Sequence, residues 1–253
     1  IKPGSSAVFA QQAPDAARVL IGRAAECGAK VYLEGVDFAL LDRVPAVGGQ
    51  VIRLDTAEGP LGELVLPLFG EHMARNAALA LSAVEAFLGG RPLPAAVVAE
   101  GLETVRAPAR LEIVRRSPTI VLDTCHNPHG ARATIQAVSE AFAFAPLIGV
   151  VAMMGDKDVA GVLEVLAAEL TTVVVTGMRS TDRALTPQAL AELAVLEFGA
   201  DRVVLADDME SAIEQAVRLA DEAGPSAGIL IAGSVYAAGE ARSLLARKEY
   251  DDE

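Results

Sequence analysis

Short apolar runs alternate with longer helical stretches from about residue 108 to the end of the chain. The runs are rich in β-branched residues, which predicts strands buried on both faces. Strands joined by helices of this length need crossover connections, so we predict a Rossmann-like, mostly parallel, doubly wound α/β sheet. The predicted strands are 111–115, 119–122, 148–153, 172–176, 202–205 and 228–232, and the predicted helices are 130–142, 159–169, 187–198, 209–223 and 237–248.

The first part of the chain is less regular. It predicts strands at 6–10 and 30–33, a hairpin of 50–54 with 63–66 around a Gly-Pro turn, and helices at 14–27, 72–88 and 94–105. The stretch from Arg106 to Ala109 resembles a linker, so we predict two domains, 1–107 and 108–253. The acidic end, 250–253, is predicted to be solvated and without regular structure.

The segment 120–130 carries the densest polar chemistry in the chain. Asp123 falls at the carboxyl end of a predicted strand, and His126 follows shortly after it. Asn127 is a good cap for a helix that begins at Pro128, because proline lacks the N–H that a first turn leaves unsatisfied. A strand end that faces a helix N-terminus is a common anion site in open α/β sheets. The alternative for His126 is a core histidine bonded to a backbone carbonyl.

Polar residues also follow three other predicted strands. They are the runs Asp156-Lys157-Asp158, Thr176-Gly177-Met178-Arg179 and Gly233-Ser234-Val235-Tyr236. Each alone is compatible with an ordinary capped loop, and Asp158 is a fair helix cap. The ends of parallel strands meet at one edge of a sheet, however, so four such loops together favour a site. Ser234 follows a glycine at a strand end, where its hydroxyl and N–H are suited to a carboxylate.

Composition excludes several classes of function. The formal charge of −13, from 21 Lys and Arg against 34 Asp and Glu, argues against a nucleic-acid surface. No apolar stretch reaches the roughly 18 residues of a membrane span. Cys27 and Cys125 are far apart and form no zinc-binding spacing, so we predict free thiols in a cytoplasmic protein and no metal ligands. The start at Ile1 has no initiator Met or signal-peptide layout, and we expect a fragment or a processed piece.

Five motifs occur in the order seen in one enzyme family. They are Phe69-Gly70-Glu71-His72-Met73-Ala74-Arg75-Asn76, Ala109-Arg110-Leu111-Glu112, Asp123-Thr124-Cys125-His126-Asn127-Pro128-His129-Gly130, Asp156-Lys157-Asp158 and Gly233-Ser234-Val235-Tyr236. Over essentially the whole chain they resemble folylpolyglutamate synthase and its bifunctional form with dihydrofolate synthase, in the Mur ligase superfamily. The resemblance implies that 1–107 is the C-terminal portion of a central ATP-binding domain and that 108–253 is a Rossmann-like glutamate-ligase domain.

This resemblance implies an ATP-dependent ligase that adds L-glutamate to tetrahydrofolate, and to dihydropteroate, through an acyl phosphate. ATP and Mg²⁺ are the implied cofactors. No Gly-x-x-x-x-Gly-Lys-Ser/Thr phosphate loop occurs in the sequence, so this loop and the metal ligands are expected in a missing N-terminal portion. We expect this chain alone to be inactive. We also expect a monomer with no membrane or nucleic-acid partner.

The family pattern also implies roles for individual residues. Asn76 is implied to contact adenine, Arg110 the phosphates and Asp123 the ribose. Lys157 is also implied to bind the nucleotide. His126 and Ser234 are implied to lie near the incoming glutamate and the reaction centre.

Three departures from the family pattern bear on these roles. Met73 replaces a common glutamine and is given no role, Ala109 replaces a glycine, and Thr124-Cys125 replaces Gly-Ala beside the acid. Two alternatives stay open. One is a muramyl peptide ligase of the same superfamily. The other is a non-catalytic nucleotide- or metabolite-binding module, which the missing phosphate loop favours.

Overall fold

The computed structural model describes the backbone of residues 1–251 and the side chains of residues 1–246. These residues form two compact units, Ile1–Arg106 and a second unit that begins at Ala107. The boundary falls within the proline-containing stretch 106–109.

The first unit contains two small sheets and three helices. Its elements are β1 (Ser6–Phe9), α1 (Pro14–Glu26), β2 (Lys30–Leu33), β3 (Ala39–Ala46), β4 (Gly49–Thr56), β5 (Gly59–Pro60), β6 (Leu64–Leu66), α2 (Glu71–Phe87) and α3 (Ala95–Glu103). Strands β1 and β2 pair in parallel. Strand β4 pairs antiparallel with β3, β5 and β6.

The sequence analysis missed β3. This strand carries Asp42, Arg43 and Pro45, and most of its residues are exposed, so it lacks the alternation that marks a half-buried strand. It is an edge strand, where proline is tolerated because one side of the backbone needs no partner. The predicted hairpin of β4 with β6 is confirmed.

The second unit alternates strands and helices. Its elements are β7 (Arg110–Arg116), β8 (Thr119–Asp123), α4 (Pro128–Ala141), β9 (Leu147–Val151), α5 (Val159–Ala167), β10 (Thr172–Val175), α6 (Pro187–Phe198), a 3-10 turn (Ala200–Arg202), β11 (Val203–Leu205), α7 (Met209–Ala223), β12 (Gly228–Ala232) and α8 (Val235–Asp251). Every strand and helix predicted for this part is present within three residues of its predicted ends.

One six-stranded sheet organises the second unit, in the order β11-β10-β9-β12-β8-β7. All neighbouring pairs are parallel except β7 with β8, so the prediction of a mostly parallel sheet is confirmed. The central strands β9 and β12 are buried along their whole length, as the apolar runs predicted. The core on one face joins Ile148, Val150 and Ile229 of the sheet to Ala212 of α7 and Ala238 of α8.

Helix α8 differs from its prediction at both ends. It begins at Val235 and continues to Asp251, so the predicted structureless end is wrong for residues 250 and 251. Residues 252 and 253, the rest of that prediction, lie outside the described residues. No helix among the described residues is both long enough and apolar enough to cross a bilayer.

Candidate functional site

The candidate site lies at the carboxyl ends of β8, β12 and β9. Because β12 is inserted between β8 and β9, the loops after these three strands are neighbours. The N–H of Gly233 donates to the carbonyl of Cys125 at 3.0 Å and joins two of the loops. Gly233 has φ +108, and a Cβ there would lie 2.6 Å from the carbonyl oxygen of Ala152. Only glycine permits this approach of the β12 loop to β9.

Two helix N-termini meet at this edge. The Asn127 side chain accepts a hydrogen bond from the Gly130 N–H at 2.8 Å and caps α4, as predicted. Asp158 caps α5 by accepting from the Gly161 N–H at 3.1 Å. The two first turns are in contact, since a Cβ on Gly161 would lie 2.8 Å from Cγ of Pro128. Paired N-termini place two partial positive charges side by side, which favours a bound anion.

One ring nitrogen of His126 has no hydrogen-bond partner among the described residues. Its Nδ1 lies 2.9 Å from the carbonyl oxygen of Thr124. A carbonyl only accepts, so Nδ1 carries a proton, and in the neutral ring Nε2 is left as an acceptor. The side chain is half-buried. The alternative prediction, a core histidine bonded to a backbone carbonyl, is correct about the hydrogen bond. That bond fixes the ring through Nδ1, however, and does not use Nε2.

Lys157 lies between β9 and α5, one residue before the cap of α5. Its Nζ is 3.4 Å from Oδ2 of Asp156, which also pairs with Arg183, and 30% of the Lys157 side chain is exposed. Slight desolvation raises the pKa of Asp156, but hydrogen bonds and charge from Arg183 and Lys157 outweigh it and hold the pKa below its usual value. Asp156 therefore stays charged and holds the lysine at the edge.

Asp123 is an internal anchor. It is 3% exposed. Its Oδ1 accepts from the Cys125 N–H and the Thr134 hydroxyl, both at 2.8 Å, and its Oδ2 accepts from the Leu111 N–H at 3.1 Å. Three of the roughly four acceptor positions of a carboxylate are thus occupied within the protein. The ribose contact implied for Asp123 stays a prediction.

Ser234 is also internal, with no exposed surface. Its Oγ accepts from the Tyr236 N–H at 3.1 Å and so caps the first turn of α8. Its implied contact to glutamate also stays a prediction. The sequence analysis gave no role to Thr124, whose hydroxyl is buried without a hydrogen-bond partner among the described residues. An unpaired buried hydroxyl next to His126 is a group that a ligand can satisfy.

Cys125 is a buried packing residue with a free thiol, as predicted. It is 4% exposed, and burial, aided by the charge of Asp123, raises the pKa of its thiol to about 12. The thiolate is the reactive form of cysteine, so this side chain is inert at neutral pH.

The fourth predicted loop, which follows β10, borders a cavity. Arg179, which is 83% exposed, pairs at 2.7 Å with Asp208, the cap of α7. These residues, with Tyr236 and Glu240, line a cavity of about 590 Å³. Tyr236 belongs to the loop after β12, so this cavity brings that loop and the loop after β10 together. Strand β10 pairs in parallel with β9, so all four loops lie at the same edge of the sheet, as predicted.

In the first unit, Asn76 is exposed on α2, and its amide donates to Sδ of Met73 at 3.8 Å. The preceding residue, Arg75, pairs with Glu34 at 2.7 Å. Burial works to raise the pKa of Glu34, but the hydrogen bond and charge of Arg75 lower it overall. This ion pair fixes the turn of helix from which Asn76 projects.

Metal-binding chemistry is not visible in the part of the chain that the structure describes. No group of three or more His, Cys, Asp and Glu side chains there is arranged to hold a metal ion. The donor groups of these residues do not fit a protein-held Mg²⁺.

The family model of the Mur ligase glutamate ligase domain matches residues 109–235. The chain belongs to the Mur ligase family. The match covers β7 through the start of α8 and contains the whole candidate site of the second unit. In this Mur ligase chain the site therefore lies within the glutamate ligase domain.

Individual Mur ligase relatives agree with the family model. The chain is 42% identical to the dihydrofolate synthase/folylpolyglutamate synthase of Mycobacterium tuberculosis over 97% of its length and 53% of the relative. It is 31% identical to the folylpolyglutamate synthase of Lacticaseibacillus casei over 97% of its length and 55% of the relative. A structure of the M. tuberculosis enzyme complexed with ADP superimposes with a TM-score of 0.91 at 42% identity, over 95% of this chain and 55% of that one. The chain thus spans about half the length of these relatives.

Proposed function

We propose that this chain works as part of a longer ligase that adds L-glutamate to folates with ATP, with tetrahydrofolate and dihydropteroate as acceptor substrates. Support comes from the names of the two relatives above and from the ADP complex of one of them. Amide formation needs an activated carboxylate and an unprotonated amine. Bound ATP supplies the phosphoryl group that activates the folate carboxylate, and this chain's residues act on the amine and the anions.

One observation carries the proposal: His126 is fixed by the Thr124 carbonyl and leaves Nε2 free beside two helix N-termini. We assign to Nε2 the acceptance of a proton from the glutamate ammonium. The amine then attacks the acyl carbon of the acyl phosphate, the bond from that carbon to the phosphate oxygen breaks, and inorganic phosphate leaves. The N-termini of α4 and α5 favour the negative charge of the phosphorylated carboxylate or of glutamate itself. The buried Thr124 hydroxyl is a further donor for that charge.

Nucleotide contacts are assigned to three residues, and an indirect part is assigned to a fourth. Lys157 and the exposed Arg110 provide cations for the phosphates, and Asn76 provides an amide that both donates and accepts, as adenine requires. Asp123 is assigned an indirect part, because its oxygens hold the backbone beside Arg110. The two cysteines are unpaired, which supports our proposal of a reducing, cytoplasmic location. We also propose a monomer.

The proposal is tested with the complete ligase, in which this chain is joined to the remainder of the relatives' length. ADP release is measured with L-glutamate and either tetrahydrofolate or dihydropteroate, and the products are identified by mass. We expect ADP release that depends on both co-substrates, with products heavier by one glutamyl residue. The 253-residue chain alone is the control and should release no ADP. ADP release without glutamate incorporation would contradict the proposal.

A further inference from the structure

The two residues that flank Arg110 adopt a backbone conformation that is rare for residues other than glycine. Ala109 has φ 55 and Leu111 has φ 48. The left-handed region costs roughly 1–2 kcal/mol per residue for L-amino acids. The pairing of β7 with β8 also slips here, because Arg110 pairs with Asp123 but Glu112 pairs with Leu122. Arg110 is thus held in a strained bulge.

Each strained residue has its N–H bound by a carboxylate. Glu112 Oε2 accepts from the Ala109 N–H at 2.8 Å, and Asp123 Oδ2 accepts from the Leu111 N–H at 3.1 Å. The Glu112 carboxylate is itself held by Arg242 of α8, whose Nε lies 3.2 Å from both carboxylate oxygens. Side-chain hydrogen bonds therefore hold the bulge to β7 and β8, and an ion pair links it to α8.

The bulge determines where the Arg110 side chain points. Leu111 is 1% exposed and Ala109 is 8% exposed, so both neighbours are buried. Arg110 between them is exposed, and among the described residues its guanidinium has no ion pair or hydrogen bond. β-Bulges next to functional sites often re-aim a side chain, and strain held by surrounding bonds often marks such sites. A cation that is aimed outward without a partner is suited to an anionic ligand.

We propose that Glu112 is a positioning residue for Arg110, holding the left-handed turn that directs the guanidinium toward a phosphate group. This inference rests on the proposed function, because it takes the ligand of Arg110 to be the phosphates of the nucleotide. Glu112 touches no ligand. It acts through the Ala109 N–H, and Arg242 keeps its carboxylate in place.

The test is a double-mutant cycle in the complete ligase, with kcat and KM for ATP measured for Glu112→Ala, Arg110→Ala and the double variant. We expect Glu112→Ala to lower kcat/KM at least tenfold in the native background and less than twofold when Arg110 is already alanine. Glu112→Gln keeps an oxygen for the Ala109 N–H and should recover most of the loss. Glu192→Ala, an exposed glutamate on α6, is the control and should have no effect.

Each outcome decides the inference. An equal loss from Glu112→Ala in both backgrounds would show a purely structural role, and no loss in the native background would also overturn it. Should Glu112→Ala fail to fold, Glu112→Gln is compared in the same two backgrounds. In that case an equal loss in both backgrounds, or a loss in the native background as large as that of Arg110→Ala, overturns the inference. An unmutated ligase without glutamate-dependent ADP release would instead refute the proposed function.

Discussion

The end of β8 and the beginnings of α4 and α5 use their polar groups in opposite ways. At the end of β8, Asp123 binds three donors of its own chain and is almost fully buried. Three residues further on, His126 uses one ring nitrogen to fix itself and leaves the other free. Lys157, at the neighbouring helix start, is partly exposed beside a single carboxylate. The polar residues of these neighbouring motifs are thus divided into anchors and groups that face a ligand.

This contrast shows that the types and order of the residues identify the site, but they do not identify the role of each residue. An acid at the end of a parallel strand is equally suited to a ligand and to backbone N–H groups. Burial and partners distinguish the two cases. The comparison therefore predicts large stability effects at the anchors and large activity effects at α4 and α5.

The largest expected effect is at Asp123. Asp123→Ala leaves the Leu111 N–H and two other buried donors without an acceptor, and should lower the free energy of unfolding by about 3–5 kcal/mol. Urea denaturation of the chain measures this. Asp182→Ala, which removes an exposed carboxylate, should leave the unfolding free energy nearly unchanged. Equal unfolding free energies of the Asp123→Ala and Asp182→Ala variants would contradict the assignment of Asp123 as a structural anchor.

His126→Ala should lower kcat of the complete ligase by about a hundredfold, because proton transfer by a positioned side chain contributes on this scale. Its urea midpoint should fall only slightly, since the half-buried ring gives up its hydrogen bond to the Thr124 carbonyl, worth about 1 kcal/mol. His129→Ala is a matched control, because His129 is exposed in the first turn of α4, shortly after His126, and its kcat should be native. Similar losses in the two variants would assign the effect to α4 rather than to the free nitrogen.

Lys157→Met should raise KM for ATP by about tenfold, the size of one charge-assisted contact, and leave stability unchanged. Lys157→Arg keeps the charge and should recover most of the affinity. Steady-state kinetics with each substrate varied in turn separates the possibilities. A rise in KM for L-glutamate alone would reassign Lys157 to a glutamate carboxylate, and no change in any KM would exclude it from the site.

A smaller effect is expected at Asp208, an anchor far from the helix starts α4 and α5 in sequence. Asp208→Ala removes the cap of α7 and should cost about 1 kcal/mol at neutral pH. Hydrogen bonds from the Ser211 N–H and hydroxyl, with the charge of Arg179, hold the pKa of Asp208 below its usual value despite some burial. The charged carboxylate therefore stabilises the fold fully above its unfolded-state pKa of about 3.9. This stabilisation is lost as pH falls through the lower pKa of the folded state.

The measurement is the difference in unfolding free energy between the native chain and Asp208→Ala as a function of pH. This difference should shrink below about pH 4. Asp208→Asn retains a capping oxygen and should lose less stability at neutral pH. A difference that is constant between neutral and acidic pH would show that the charge of Asp208 contributes nothing.

The sequence predicted those parts of the fold that depend on local signals. The caps Asn127 and Asp158 and the apolar runs of β9 and β12 are readable from neighbouring residues, and they occur as predicted. Strand β3 was missed because an exposed edge strand carries no periodic pattern. The neighbouring positions of the loops after β8, β12 and β9 followed from the topology of a parallel sheet.

The parts of the site that escaped prediction depend on contacts between distant residues. Asp123 binds donors 11 and 12 residues away, at Thr134 and Leu111, and nothing in its own motif specifies them. The left-handed conformations of Ala109 and Leu111 were also hidden, because glycine normally marks such positions. The surrounding carboxylates hold them instead, and that requires the folded structure.

The central claim is that the groups at the starts of α4 and α5 serve the reaction while the end of β8 serves the fold. The most direct test is kcat/KM for ATP, at saturating L-glutamate, of the double variant His126→Ala/Lys157→Met in the complete ligase, with its urea denaturation measured alongside. We predict a loss of roughly a thousandfold, about 4 kcal/mol of transition-state stabilisation, with unfolding free energy within about 1 kcal/mol of native. A kcat/KM within threefold of native, or a loss of stability like that of Asp123→Ala, would contradict the account.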